Sequence, residues 1–114
     1  MTLAQINEII KLKLVSDRFN AERNVSCACV SDILSDVMAR APRDCIWITN
    51  QSHENVIAIA FFKELTAVIF ANGVVPDEES VQKANLKNIT LLTCDANAFD
   101  LAGQLYHLGL RGSN

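Results

Sequence analysis

The side chains able to do chemistry gather in a few places. His53 and Glu54 stand in the polar run Asn50-Gln51-Ser52-His53-Glu54-Asn55, directly after Thr49. An imidazole between hydroxyls and a carboxylate could move protons or activate a nucleophile. That work needs a nucleophile, a base and an orienting partner, and no triad order is recognisable among Thr49, Ser52, His53 and Glu54. Cys27 and Cys29 place two thiols on one side of a strand, and with Cys45, Cys94 and His53 they would offer soft ligands to zinc or an iron–sulfur cluster. The paired Cys-x-x-Cys spacing of a structural site is absent, and thiols inside apolar stretches behave as small hydrophobes. They are expected to be core residues that hold no metal. Asp32 and Asp36 share one helix face. An N-cap and a solvated acid account for them better than a carboxylate pair for acid–base work. Asn72-Gly73 follows a strand and reads as a turn needing positive φ, since one glycine does not make a phosphate cradle.

The elements that would position these residues alternate along the chain. Thr2 can cap a helix from Leu3 to about Lys11, with Leu3, Ile6, Ile9 and Ile10 on one face. Leu12 to Ser16 can extend as a short strand, and Asp17 to Asn24 reads as a loop. Asn24 to Val30 alternates, with Val25, Cys27 and Cys29 on one side, which is a strand pattern. Ser31 or Asp32 then caps a helix to Ala39 or Arg40, with Pro42 beyond its end. Cys45 to Thr49 is a buried-type strand, Val56 to Phe62 a helix apolar almost all round, and Ala67 to Ala71 a second apolar strand. Two strands joined through a helix lie parallel. Pro76 with Asp77, Glu78 and Glu79 opens a helix to about Leu86, closed by Asn88. Ile89 to Thr93 is the next strand. Asp95 caps a last helix, whose inner side would carry Phe99, Leu101, Ala102, Leu105, Tyr106 and Leu108, and Gly109 ends it.

This alternation predicts an α/β fold with three layers: a mainly parallel sheet covered by helices on both faces. The 114 residues fit one domain over 1–110, and Arg111 to Asn114 reads as a disordered tail. Half the residues are hydrophobic and few are aromatic, so the core is aliphatic. The formal charge of −3 and the lack of any basic cluster speak against nucleic acid or an anionic membrane as partner. The longest apolar run, Val56 to Phe62, falls far short of the roughly 20 residues of a membrane span. Met1 to Gln5 lacks a signal-peptide pattern, and with four cysteines in apolar stretches a reducing, cytoplasmic setting is expected. So much apolar surface in a small domain also predicts self-association, most simply a homodimer.

Three stretches carry a family resemblance: Ser31-Asp32-Ile33-Leu34-Ser35-Asp36-Val37-Met38, Ile46-Trp47-Ile48-Thr49, and His53-Glu54-Asn55-Val56-Ile57-Ala58-Ile59-Ala60. With Ala71-Asn72-Gly73, Pro76-Asp77, the helix around Ala84, and Phe99 with Leu105, the chain from Met1 to Gly109 resembles the stand-alone DRTGG-domain proteins. The motif's opening acidic–arginine pair is replaced around Ser52, His53, Glu54 and Asn55. Its closing threonine and two glycines stand as Ala71, Asn72 and Gly73. The family's domain is similar to the N-terminal domain of HPr kinase/phosphorylase, and it also occurs beside CBS domains. The resemblance implies a three-layer α/β fold with a sensory or scaffolding task. It does not imply the kinase, because no Gly-x-x-x-x-Gly-Lys loop occurs in the chain.

The expected function is therefore a non-catalytic regulatory or interaction domain that recognises a small ligand or a protein partner and carries no cofactor. The alternatives are a small enzyme acting on a phosphorylated or nucleotide substrate through the His53 loop, and a purely structural homo-oligomer. In open α/β sheets ligands sit outside the carboxyl ends of the strands. The expected contacts are Thr49, Asn50, Ser52, His53, Glu54 and Asn55 from one loop, and Asn72 and Gly73 from the next. The N-terminus of the helix near Asn55 would offer unpaired N–H groups to an anion such as phosphate. Glu54 competes there, which leaves an amine, a sugar hydroxyl or a base edge as alternatives.

Overall fold

A computed structural model describes residues 1–113. The elements run α1 (Leu3–Ile9), β1 (Lys13–Leu14), β2 (Cys27–Val30), α2 (Leu34–Arg40), β3 (Cys45–Thr49), α3 (Asn55–Phe62), β4 (Ala67–Phe70), α4 (Glu78–Lys87), β5 (Thr90–Thr93) and α5 (Ala98–His107). The five strands form one sheet in the order β1-β5-β4-β3-β2. β2, β3, β4 and β5 are mutually parallel, and β1 runs antiparallel to β5. The expected α/β class and mainly parallel sheet are what the chain adopts.

Alternation along each strand sorts side chains into two cores, as the pleat requires. Ile46, Ile48, Ala67, Ile69 and Leu92 pack with Leu3 and Ile6 of α1 and Leu101 and Leu105 of α5. Cys45, Trp47, Val68, Phe70 and Leu91 pack on the opposite face with Val37 of α2, Val56, Ile57 and Ala60 of α3, and Ala84 of α4. β3 and β4 are buried along their whole length, which explains why they read as continuous apolar runs. α3 lies against the sheet and between α2 and α4, so apolar residues recur around much of it.

The crossovers β2-α2-β3, β3-α3-β4 and β4-α4-β5 all step the same way across the sheet. Strand order therefore never reverses within the parallel part, and no switch-point crevice opens between β3 and β4.

Local capping differs from expectation in instructive places. Thr2 caps α1 as expected, through a reciprocal capping box with Gln5. α2 begins later, with Ile33 at its cap position and no side-chain cap, because Asp32 is engaged elsewhere. The cap of α5 is Asn97 rather than Asp95, with Asn97 Oδ1 accepting from the Asp100 N–H at 2.8 Å. Phe99 and Tyr106, expected on the inner side of α5, face solvent. Arg111 and Gly112, expected to fray, lie along the outer edge of β2. The Arg111 carbonyl accepts from the Ala28 N–H at 3.0 Å, and Gly112 pairs with Ala28. Asn114 lies outside the described residues.

Candidate functional site

The carboxyl ends of β2 and β3 meet at Asp32. The register explains why: Val30 pairs with Ile48, so two residues further on Asp32 falls beside Asn50. Trp47 holds the approach in place, its indole Nε1–H donating to the Ser31 carbonyl at 2.8 Å. Asp32 Oδ1 then accepts from the hydroxyl of buried Thr49 at 2.9 Å and from the Asn50 N–H at 2.7 Å. Its Oδ2 accepts from Asn50 Nδ2 at 3.2 Å. These donors, the Asn50 N–H foremost, hold the Asp32 carboxyl below the usual aspartate range, while partial burial pulls the other way.

The network continues into the loop after β4. Asn50 Oδ1 accepts from Asn72 Nδ2 at 2.7 Å. Asn72 and Gly73 both adopt left-handed backbone, φ 59 and 67, as the sequence led us to expect of this turn. In that shape the Asn72 N–H reaches the Ala96 carbonyl at 2.8 Å and the Gly73 N–H reaches the Cys94 carbonyl at 2.9 Å. The loop after β4 is thereby pinned to the loop after β5.

The remaining predicted residues form a second group, around the start of α3. His53 Nδ1 accepts from the Asn55 N–H at 3.1 Å, so the imidazole holds the first N–H of α3. The Val56 N–H donates to the His53 carbonyl and the Ile57 N–H to the Glu54 carbonyl, each at 3.0 Å. The first N–H groups of α3 are thus occupied, contrary to the expectation that they stand free for an anion. The Ser52 carbonyl accepts from the hydroxyl of buried Ser80 in α4 at 2.9 Å, which ties this group to the neighbouring helix. Glu54 is exposed.

Thr49 and Asn50 therefore converge on one carboxylate, and Asn72 joins them through Asn50. Gly73 lies beside them, and Ser52, His53, Glu54 and Asn55 organise a helix start. The residue that sequence reasoning missed is Asp32, which it read as a helix cap. The signal was its place just beyond the end of β2, visible once the β2–β3 register is known.

Cys27, Cys29 and Cys45 lie on the sheet face covered by α2, α3 and α4, and Cys94 packs on the other face. Cys27 pairs with Cys45 across β2 and β3, and all four cysteines are free. A hydrogen bond from Cys45 holds the Cys29 thiol below its ordinary value. The same contact, with burial, pushes Cys45 up. Among the described residues, no three His, Cys, Asp or Glu side chains gather as a metal would need. No helix among them is long and apolar enough to cross a membrane. A surface cavity of about 340 Å³ runs along the edge of β2 between α2 and α5, lined in part by Cys29, Arg40, Tyr106 and Arg111.

No protein-family profile matches the sequence, and no curated protein matches it either. A solved structure does. It is that of the CBS and DRTGG domains of the regulatory region of Clostridium perfringens pyrophosphatase, complexed with its activator diadenosine tetraphosphate. The two share a fold. The TM-score is 0.68 at 15% identity, over 91% of this chain. The chain spans 45% of the length of that structure.

Proposed function

We propose that this chain is a single-domain, non-catalytic regulatory module of the DRTGG kind, which senses a small ligand at the carboxyl ends of its parallel strands. One observation carries the reading: a single carboxylate, Asp32, holds the loops after β2 and β3, and Asn50 passes the connection to the loop after β4. A ligand that competes for any of these bonds releases neighbouring loops together, and those loops lead into α2, α3 and α4. Binding energy at one point thereby becomes a change in how three helices begin. The shared fold with a pyrophosphatase regulatory region supports a regulatory role. Kinship with the N-terminal domain of HPr kinase/phosphorylase belongs to the same reading and rests on the Ser31–Met38, Ile46–Thr49 and His53–Ala60 stretches.

The chemistry of this edge favours donors over anions. Asp32 is negative, and the first N–H groups of α3 are spent within the chain. A phosphate brought here meets a like charge, and the Asn55, Val56 and Ile57 N–H groups are already bonded. A base edge, an amine or a sugar hydroxyl can instead donate to Asp32 or replace Asn50 and Asn72 in their mutual bond. A dinucleotide polyphosphate such as the neighbour's activator offers base edges and hydroxyls besides its phosphates, and we assign those groups to this edge. Catalysis through His53 has less support, because Nδ1 is committed to the Asn55 N–H and no activated nucleophile stands beside it.

A melting-temperature panel of adenosine, adenosine monophosphate, diadenosine tetraphosphate and inorganic phosphate tests this reading. Nucleoside-bearing compounds are expected to raise the melting point with concentration and phosphate alone to leave it unchanged. Stabilisation by phosphate alone, or by no member of the panel, would count against it.

A further inference from the structure

One face of α5 has an architecture that nothing within the chain explains. Gly103 sits at the middle of this ten-residue helix, where glycine costs about 1 kcal/mol relative to alanine. A Cβ at Gly103 would meet no atom within 4 Å, so no packing inside the chain requires the glycine. Around it lie Phe99, which is 86% exposed, and Ile9 at the end of α1, which is 60% exposed. These residues border an open groove of about 640 Å³ that also takes in Asp100 and His107. The other exposed aromatic cluster differs. In α3 no glycine lies beside the rings, and the Lys87 ammonium covers Phe61, 4.3 Å from its centroid; on α5 the Arg111 guanidinium covers Tyr106 at 3.7 Å and Phe99 has no such cover among the described residues.

We propose that this face of α5 is where a second copy of the chain docks, with the two α5 helices crossing antiparallel at Gly103. The face is complementary to itself. At about 100° per residue, Phe99, Gly103 and His107 form one stripe, with Asp100 on one flank and Tyr106 on the other. A twofold axis through Gly103 keeps each flank on its own side and reverses the helix direction. Asp100, about one turn before the axis, then faces His107 of the partner subunit about one turn after it, and Phe99 meets the partner subunit's Tyr106. Each contact occurs twice, as an isologous interface demands. Asp100, in the first turn, carries the charge sign that suits the helix dipole. The missing Cβ at Gly103 lets the two backbones approach where a larger residue would hold them apart. This inference does not depend on what the domain senses.

Sedimentation equilibrium at neutral pH tests it, with far-ultraviolet circular dichroism as the check on folding. The wild type is expected to dimerise reversibly, and Gly103→Glu to weaken the dimer at least about tenfold with the helix signal retained. Asp100→Lys alone and His107→Glu alone are expected to weaken it, and the two together to recover most of the affinity, since the exchanged charges face each other again. A wild type that stays monomeric to high micromolar concentration would overturn the proposal. So would a Gly103→Glu chain that dimerises unchanged, or a double exchange that recovers nothing.

Discussion

The two ends of the parallel sheet are closed by different means. At the amino ends the chain turns tightly, and each corner carries a residue in left-handed conformation: Asp44, Glu64 and Asn88, with φ 64, 54 and 58. Main-chain bonds lock these corners. The Asp44 N–H donates to the Glu64 carbonyl at 3.1 Å, and the Leu65 and Ile89 N–H groups reach back to Ala60 and Ala84 at 3.0 and 2.9 Å. Arg23 binds over the first two corners, donating to the Asp44 carboxylate at 3.2 Å and to the Glu64 carbonyl. At the carboxyl ends side chains join the main chain in the closing: Asp32 with Thr49 and Asn50, and Asn50 with Asn72. A backbone-closed corner cannot give up its bonds without unwinding a helix or fraying a strand. A side-chain bond can be exchanged for a bond to another molecule with the sheet intact. We therefore propose that recognition belongs to the carboxyl ends, where side-chain bonds can be exchanged with the sheet intact.

The sharpest way to break this comparison is at Asp32. Asp32→Ala leaves the Thr49 hydroxyl, the Asn50 N–H and the Asn50 amide without their acceptor. We expect a loss of about 2 kcal/mol in urea unfolding. The effect depends on pH. The folded carboxyl titrates below its unfolded counterpart, whose value is about 3.9, so its contribution is present above that pH and declines as pH falls through the folded value. Wild type and Asp32→Ala should therefore converge in stability under strongly acidic conditions, and a constant difference down to low pH would contradict the assignment. Arg23→Ala should cost about 1 kcal/mol, because its ion pair with Asp44 is only partly shielded from water. Ligand-induced stabilisation should survive that change and vanish with Asp32→Ala. The smallest effect is expected at Glu64, an exposed left-handed residue. Glu64→Gly relieves the backbone and should gain about 0.5 kcal/mol in the same unfolding measurement, net of the extra chain entropy of glycine.

The legible part of the sequence was what local pattern controls. The continuous apolar runs of β3 and β4, the amphipathic α1 with its Thr2 cap, and the Asn72-Gly73 turn all follow from hydrophobic period or backbone preference, and all are where the sequence placed them. The parts that were not legible depend on register and on neighbours distant in sequence. Asp32 resembles a helix cap until the β2–β3 pairing puts it beside Asn50. His53 is as polar as a catalytic residue, but its Nδ1 serves the start of α3. Phe99 and Tyr106 satisfied the apolar side of a helical wheel, yet α5 meets the sheet through Leu101 and Leu105 and leaves both rings outside. Arg111 and Gly112 are polar or small enough to read as tail, but β2 is an edge strand and its free N–H at Ala28 takes the Arg111 carbonyl.

The most direct test of the central claim is an amide chemical-shift titration of the labelled chain with adenosine and with diadenosine tetraphosphate. The account predicts shifts concentrated at Asp32, from Thr49 to Asn55 and at Asn72-Gly73, abolished in Asp32→Ala and retained in Arg23→Ala. Shifts centred instead on Arg40, Tyr106 and Arg111 along the β2 edge, with the Asp32 loops unmoved, would place recognition elsewhere and contradict it.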